Sequence, residues 1–259
     1  IMAGTGSNAF YNLAISGNLI APTSSITVAG NWVNDGAFAH NGGAVVFNGN
    51  SLVSGVSTTT FDHVTLATGA TLTGHSSYMV VVGNWNNESG VYNHNGGTVV
   101  YEGSSTSLIS GATTFYNFFC DTPGKPLTFA AESSQTVLGL FTLTGEETNQ
   151  IVLQSTAAGS CWNIVFPNGT QTVNYVDVRD SNASNHTVTV VGGTDSGNNN
   201  ANWIFTILGD RYWVGGAGNW NQTAHWSLTS GGAGGASVPG TNHVAAFDAK
   251  SGSGTCSLH

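Results

Sequence analysis

The chain is short of charge, and above all of positive charge. Charged residues make up 7% of its 259 positions, with only four Lys and Arg against thirteen Asp and Glu; an average globular protein carries roughly 25%. With a net charge of −9 and so few cations, no basic stripe can neutralise a row of phosphates, which excludes nucleic acid as a partner. Cysteine is scarce too. Cys120, Cys161 and Cys256 are odd in number, far apart and outside any CxxC or Cys-His cluster, so they read as buried small apolar side chains rather than a zinc site or a disulfide framework. No run approaches the ~18 apolar residues of a membrane helix, so membrane insertion is not expected. The opening IMAGTGSNAF lacks the basic start and apolar middle of a signal peptide. Starting on Ile1 and stopping on the strand-like GSGTCSLH, the chain reads as an excerpt from a longer polypeptide. GxSxG, HExxH, P-loop and GGxGxD motifs are all missing, and no metal or cofactor is expected.

What the chain has is ample apolar material, 40% with 10% aromatic, together with 36 glycines and an uncharged coat of Asn, Ser and Thr. It also has a repeat. GNWVNDGAFAHNGGAVVFNG (30–49) returns as GNWNNESGVYNHNGGTVVYEG (83–103), and SGVSTTTFDHVTL (54–66) returns as SGATTFYNFFC (110–120). The period is about 54 residues, and GSNAFYNLAIS (6–16) is part of an earlier copy. Repeats of this length are stacked modules sharing one core. Within each unit the segments SITV, GAFAH, AVVF, DHVTL, TLTG and MVVVG are short, β-branched or aromatic and closed by turn residues, while no window carries a helical apolar stripe. The expected fold is therefore all-β: a parallel β-solenoid over 1–208, each ~54-residue unit making two or more coils, followed by a small Trp/Gly-rich β segment over 209–259.

Trp32 and Trp85 are expected as buried anchors at an equivalent place in each unit. His40-Asn41-Gly42-Gly43 and His94-Asn95-Gly96-Gly97 are expected as one recurring corner, because Asn-Gly and Gly-Gly supply the positive φ that coil corners need. Two coils, about 10 Å, would separate the histidines, too far for a shared metal ion. The stretch SGGAGGASVPG (230–240) reads as a hinge.

GSCWNIVFPNGTQTVNYVDVRDSNAS (159–184) and DSGNNNANWIF (195–205) resemble parallel β-helix proteins of the pectin-lyase-like kind, as found in phage tail fibres or spikes and bacterial surface adhesins. RYWVGGAGNWNQTAHWS (211–227) is similar to the Trp-rich openings of fresh β-helical segments in such proteins. The resemblance implies a non-enzymatic structural or adhesive segment of a large extracellular, cell-surface or virion protein. Its partners would be a cell-surface glycan, with Tyr92, Tyr101 or Tyr116 stacking on sugar rings, or neighbouring copies of itself in a trimer or fibre. Two alternatives stay open. A tailspike-like polysaccharide depolymerase would use Asp177 with Asp180, or with Glu132 from a neighbouring coil, as its acid/base pair, although the same residues also suit a solvated strand face. A self-assembling extracellular fibre would join strand edges end to end.

Overall fold

A computed structural model describes residues 8–197, 200–206, 209–240 and 243–258. Leu208, the expected last residue of the solenoid, lies outside the described residues, as do residues 1–7. From Asn8 to Thr206 the chain is a parallel β-solenoid of about nine turns with three strands to a turn. The first face is one ten-stranded sheet, from Asn8–Phe10 to Thr194–Asp195. The second runs from Leu13–Ile15 to Val91–Asn93 in five strands and continues in four more, from Thr113–Phe115 to Ser181–Ala183. On the third, the pair Asn18–Ile20 and Ala37–Ala39 gives way to an eight-stranded sheet from Thr59–Phe61 to Trp203–Thr206.

Side-chain alternation explains why such short strands suffice. Ser25–Val28, Ala44–Phe47 and His63–Leu66 all bury every second residue. Parallel register then stacks Ile26, Val45, Val64, Trp85 and Ile109 in one internal column. Each fully buried aliphatic or aromatic side chain contributes about 1.5–3 kcal/mol, and no single turn can collect that alone.

The repeat does not coincide with the turn. Trp32–Asn34 lies on the second face, whereas Trp85–Asn87 lies eight strands later on the first. At three strands to a turn, the repeating unit spans two and two-thirds turns, so equivalent residues are displaced by one face instead of stacking. Phe10, Phe61 and Phe115, the equivalent aromatics of the three copies, accordingly end strands on the first, third and second faces. The expected two-coil separation of His40 and His94 is corrected in the same way: His40 follows the third-face strand Ala37–Ala39, and His94 the second-face strand Val91–Asn93.

After the solenoid, Asp210–Trp213 pairs antiparallel with Trp226–Ser227 and parallel with Val244–Ala246. Trp213, Trp220, Trp226 and Phe247 form a separate aromatic cluster. His225 stacks on Trp213 at 4.8 Å.

Candidate functional site

The two His-Asn-Gly-Gly corners share one geometry. Asn41 and Gly42 have φ of 51° and 75°, Asn95 and Gly96 of 52° and 72°. Gly43 and Gly97 donate their N–H groups to the carbonyls of His40 and His94, both at 2.9 Å, giving two turns of the type that requires positive φ at both central residues. Each histidine accepts a bond at Nδ1 from the second turn residue, Gly42 at 3.2 Å and Gly96 at 3.1 Å. Each asparagine side chain donates to a carbonyl of the preceding coil, Asn41 to Ala21 and Asn95 to Gly74. The imidazoles differ in their outward neighbours. Asp62 lies 3.4 Å from His40, whereas His94 stacks on the Tyr116 ring at 5.2 Å. Among the described residues no group of His, Cys, Asp and Glu is assembled to hold a metal ion.

The tryptophan sites also match. Trp32 Nε1 donates to Thr59 Oγ1 at 3.3 Å and Trp85 Nε1 to Thr113 Oγ1 at 3.0 Å, and Asn34 and Asn87 bond the same two hydroxyls. Trp32 packs edge-on against Phe38 at 4.8 Å, and Trp85 against Tyr92 at 4.9 Å.

That equivalence overturns part of the aromatic-platform expectation. Tyr92 and Tyr101 stand where the first copy has Phe38 and Phe47, and both are buried, Tyr101 completely. Tyr101 stacks on Phe118 and Tyr92 donates to Met79 Sδ, so neither ring is presented to a ligand. Burial drives both phenol pKa values up. The warning was already in the alignment, since a tyrosine replacing a phenylalanine in a repeat inherits a core position. Tyr116 is 40% exposed.

The carboxylates of YVDVRD do not form an open pair. Val176 and Val178 are buried inward, which turns Asp177 outward from the first face. Asp180 sits at the following corner with φ of 53°, is itself buried, and accepts the Gly159 N–H at 2.9 Å. Its oxygen closes a loop of the neighbouring coil. Glu132 is likewise a corner residue, with φ of 62°.

The eight-stranded third face carries the feature that sequence reading missed. Outward positions on its strands line up along the axis as Thr60, Val80, Val100, Phe119 and Thr142, with Tyr78, Thr98 and Asn117 in a parallel row. All of these but Thr60 line a trough of about 480 Å³, within the usual size range of ligand sites. Val80 and Val100 form its buried floor although they point away from the core, while two of its lining residues stand out, Tyr78 54% and Leu140 53% exposed. Asn117 braces one wall, donating to Thr98 Oγ1 at 3.1 Å and accepting from Leu140 N–H at 2.7 Å. Glu102 supplies the only charge among the lining residues. A signal was present: Met79-Val80-Val81, Val99-Val100-Tyr101 and Phe118-Phe119 break the inward-outward alternation with apolar residues on both faces.

A second polar cluster ties the C-terminal segment to the solenoid. Glu147 accepts from Ser237 Oγ at 3.1 Å through both carboxylate oxygens, with His243 Nε2 3.0 Å and Arg211 Nη2 3.6 Å away. Arg211 also donates to Ser237. Burial, reinforced by Arg211 and opposed by Glu147, holds His243 below the usual imidazole range. Because Ser237 lies inside SGGAGGASVPG and Ala236 bonds Trp226, that stretch is fastened down and is not the free hinge its glycines suggest.

Fold and surface together define a parallel β-solenoid repeat protein with one apolar-floored trough among the sites described. The chain matches no family model, no curated protein and no solved structure.

Proposed function

We propose that this chain is a non-enzymatic structural and adhesive segment of a large extracellular or virion protein, of the kind that pectin-lyase-like β-helices form in phage tail fibres and bacterial surface adhesins. The observation that carries the reading is a rod built from a repeated unit and coated with uncharged polar side chains. Such a rod spaces and presents, and its uncharged amide and hydroxyl surface suits hydroxyl-rich partners at a cell surface. The solenoid stacks by parallel strand pairing along its axis, so the strand edges of its terminal turns could pair end to end with another copy in a fibre. A depolymerase reading is weakened by Asp180, whose buried carboxylate is committed to the Gly159 N–H.

Two measurements test the proposal. Antibody-labelled electron microscopy of the source material should place the chain on a virion tail, a filament or a cell envelope; a cytoplasmic position would overturn it. A glycan array should give binding; silence would remove the adhesive half and leave the spacer. Shortened oligosaccharides after incubation with capsule, lost in Asp177→Asn, would make the chain an enzyme instead.

A further inference from the structure

We infer that the trough on the eight-stranded face is the glycan site and that it takes a neutral chain, laid along the solenoid axis with one sugar ring stacked on Tyr78. The inference rests on the adhesive reading and goes beyond it in naming the site and the charge class of the ligand. Its first support is shape. Four successive strands and the residue Thr58 line the trough, so it extends along the axis for about 19 Å at ~4.8 Å per strand. That is a linear groove for a linear ligand.

The second support is the chemistry of the lining. Val80, Val100 and Phe119 give an apolar floor that matches the C–H faces of pyranose rings, and Tyr78 offers an exposed ring for stacking. Thr98 keeps its hydroxyl proton while accepting from Asn117, and Thr142 adds a second hydroxyl, so the flanks offer donors and acceptors without formal charge. An apolar floor with a few placed polar groups is how small-ligand sites are generally built.

Charge decides the ligand class. No basic residue is among those lining the trough, and Glu102 is there to repel anions. Of the four basic residues in the chain, Lys125 and Arg211 are buried, Lys125 with its Nζ held by the carbonyls of Val82 and Ser105. Only Arg179 and Lys250 are exposed, and neither lines the trough. A uronate- or sulfate-bearing polymer would find no counter-charge here, whereas a neutral one meets no desolvated ion.

The test is an array holding neutral, acidic and amine-bearing glycans, followed by titration of the strongest neutral oligosaccharide against wild type, Tyr78→Ala and Tyr116→Ala. Tyr78 is exposed, so its variant should keep the wild-type circular dichroism and melting temperature. The expected result is neutral binding weakened about ten-fold in Tyr78→Ala, the size of one lost stacking contact, and unchanged in Tyr116→Ala. If Tyr78→Ala binds as wild type while Tyr116→Ala loses affinity, the trough is overturned and adhesion stands. Binding confined to acidic glycans overturns the charge argument alone. Silence across the array overturns this inference and the adhesive reading together.

Discussion

Replacing Trp85 with alanine tests the claim that the solenoid is built from one unit repeated out of phase with its turns. Trp85 is fully buried, donates to Thr113 and sits 4.9 Å from Tyr92 and 5.4 Å from Phe115. Removing such a ring from a packed core costs about 3–5 kcal/mol in lost burial and residual cavity. Trp32 has the same set of partners one face away, with Phe38 at 4.8 Å and Phe61 at 5.2 Å, so Trp32→Ala should cost the same within about 1 kcal/mol. The two sites are separated along the axis by two and two-thirds turns, about 13 Å at ~4.8 Å per turn, and the double variant should show simple additivity within about 0.5 kcal/mol. Because each turn touches only its neighbours, the damage should also be local. Native-state hydrogen exchange is the assay. Trp85→Ala should deprotect His63–Leu66 and Ser107–Ser110, the strands it pairs with, and Trp32→Ala should deprotect Leu13–Ile15 and Asn50–Ser54. Costs that differ by more than about 2 kcal/mol, or protection lost at the wrong pair of strands, would refute the equivalence.

Three further outcomes are expected. Gly97→Ala should destabilise far more than Gly96→Ala in urea titration: a Cβ at 97 would strike the His75 carbonyl oxygen, whereas at 96 it meets open space and costs about 1–2 kcal/mol for its positive φ of 72°. Stability should fall between pH 9 and 11 partly through Cys120, whose thiol burial pushes up from 9.0 to about 11. The unfolded chain releases that proton first, so the stabilisation is complete below pH 9 and is lost as pH rises to 11; Cys120→Ala should flatten the decline by up to about 3 kcal/mol. An unchanged slope would show that the thiol does not contribute. Glu147→Ala leaves the buried Arg211 and His243 without their carboxylate, and limited proteolysis within 230–240 should accelerate several-fold; cleavage at the wild-type rate would mean that the clasp does not hold the segment.

Much of this architecture is legible in the one-dimensional text because its causes are local. Asn41-Gly42 and Asn95-Gly96 dictate positive φ wherever they occur, and alternation in Ser25–Val28 or Ala44–Phe47 dictates which side chains turn inward. Repetition of Trp32 as Trp85 marks a repeated packing site in the sequence itself. The sequence alone thus determined an all-β repeat with recurring corners and buried indoles. It also held, unread, the phenylalanines that consign Tyr92 and Tyr101 to the core. The phase of the repeat was decided only in three dimensions, since turn length depends on how many strands close one coil and not on the sequence period. The trough depends on the same fact: Tyr78, Val100, Phe119 and Thr142 belong to different turns and meet only because parallel register brings their outward positions together. Likewise, Glu147 meets Ser237 and His243 through a tertiary contact that no local preference encodes, because hydrogen bonding and charge act across space while turn propensities act along the chain.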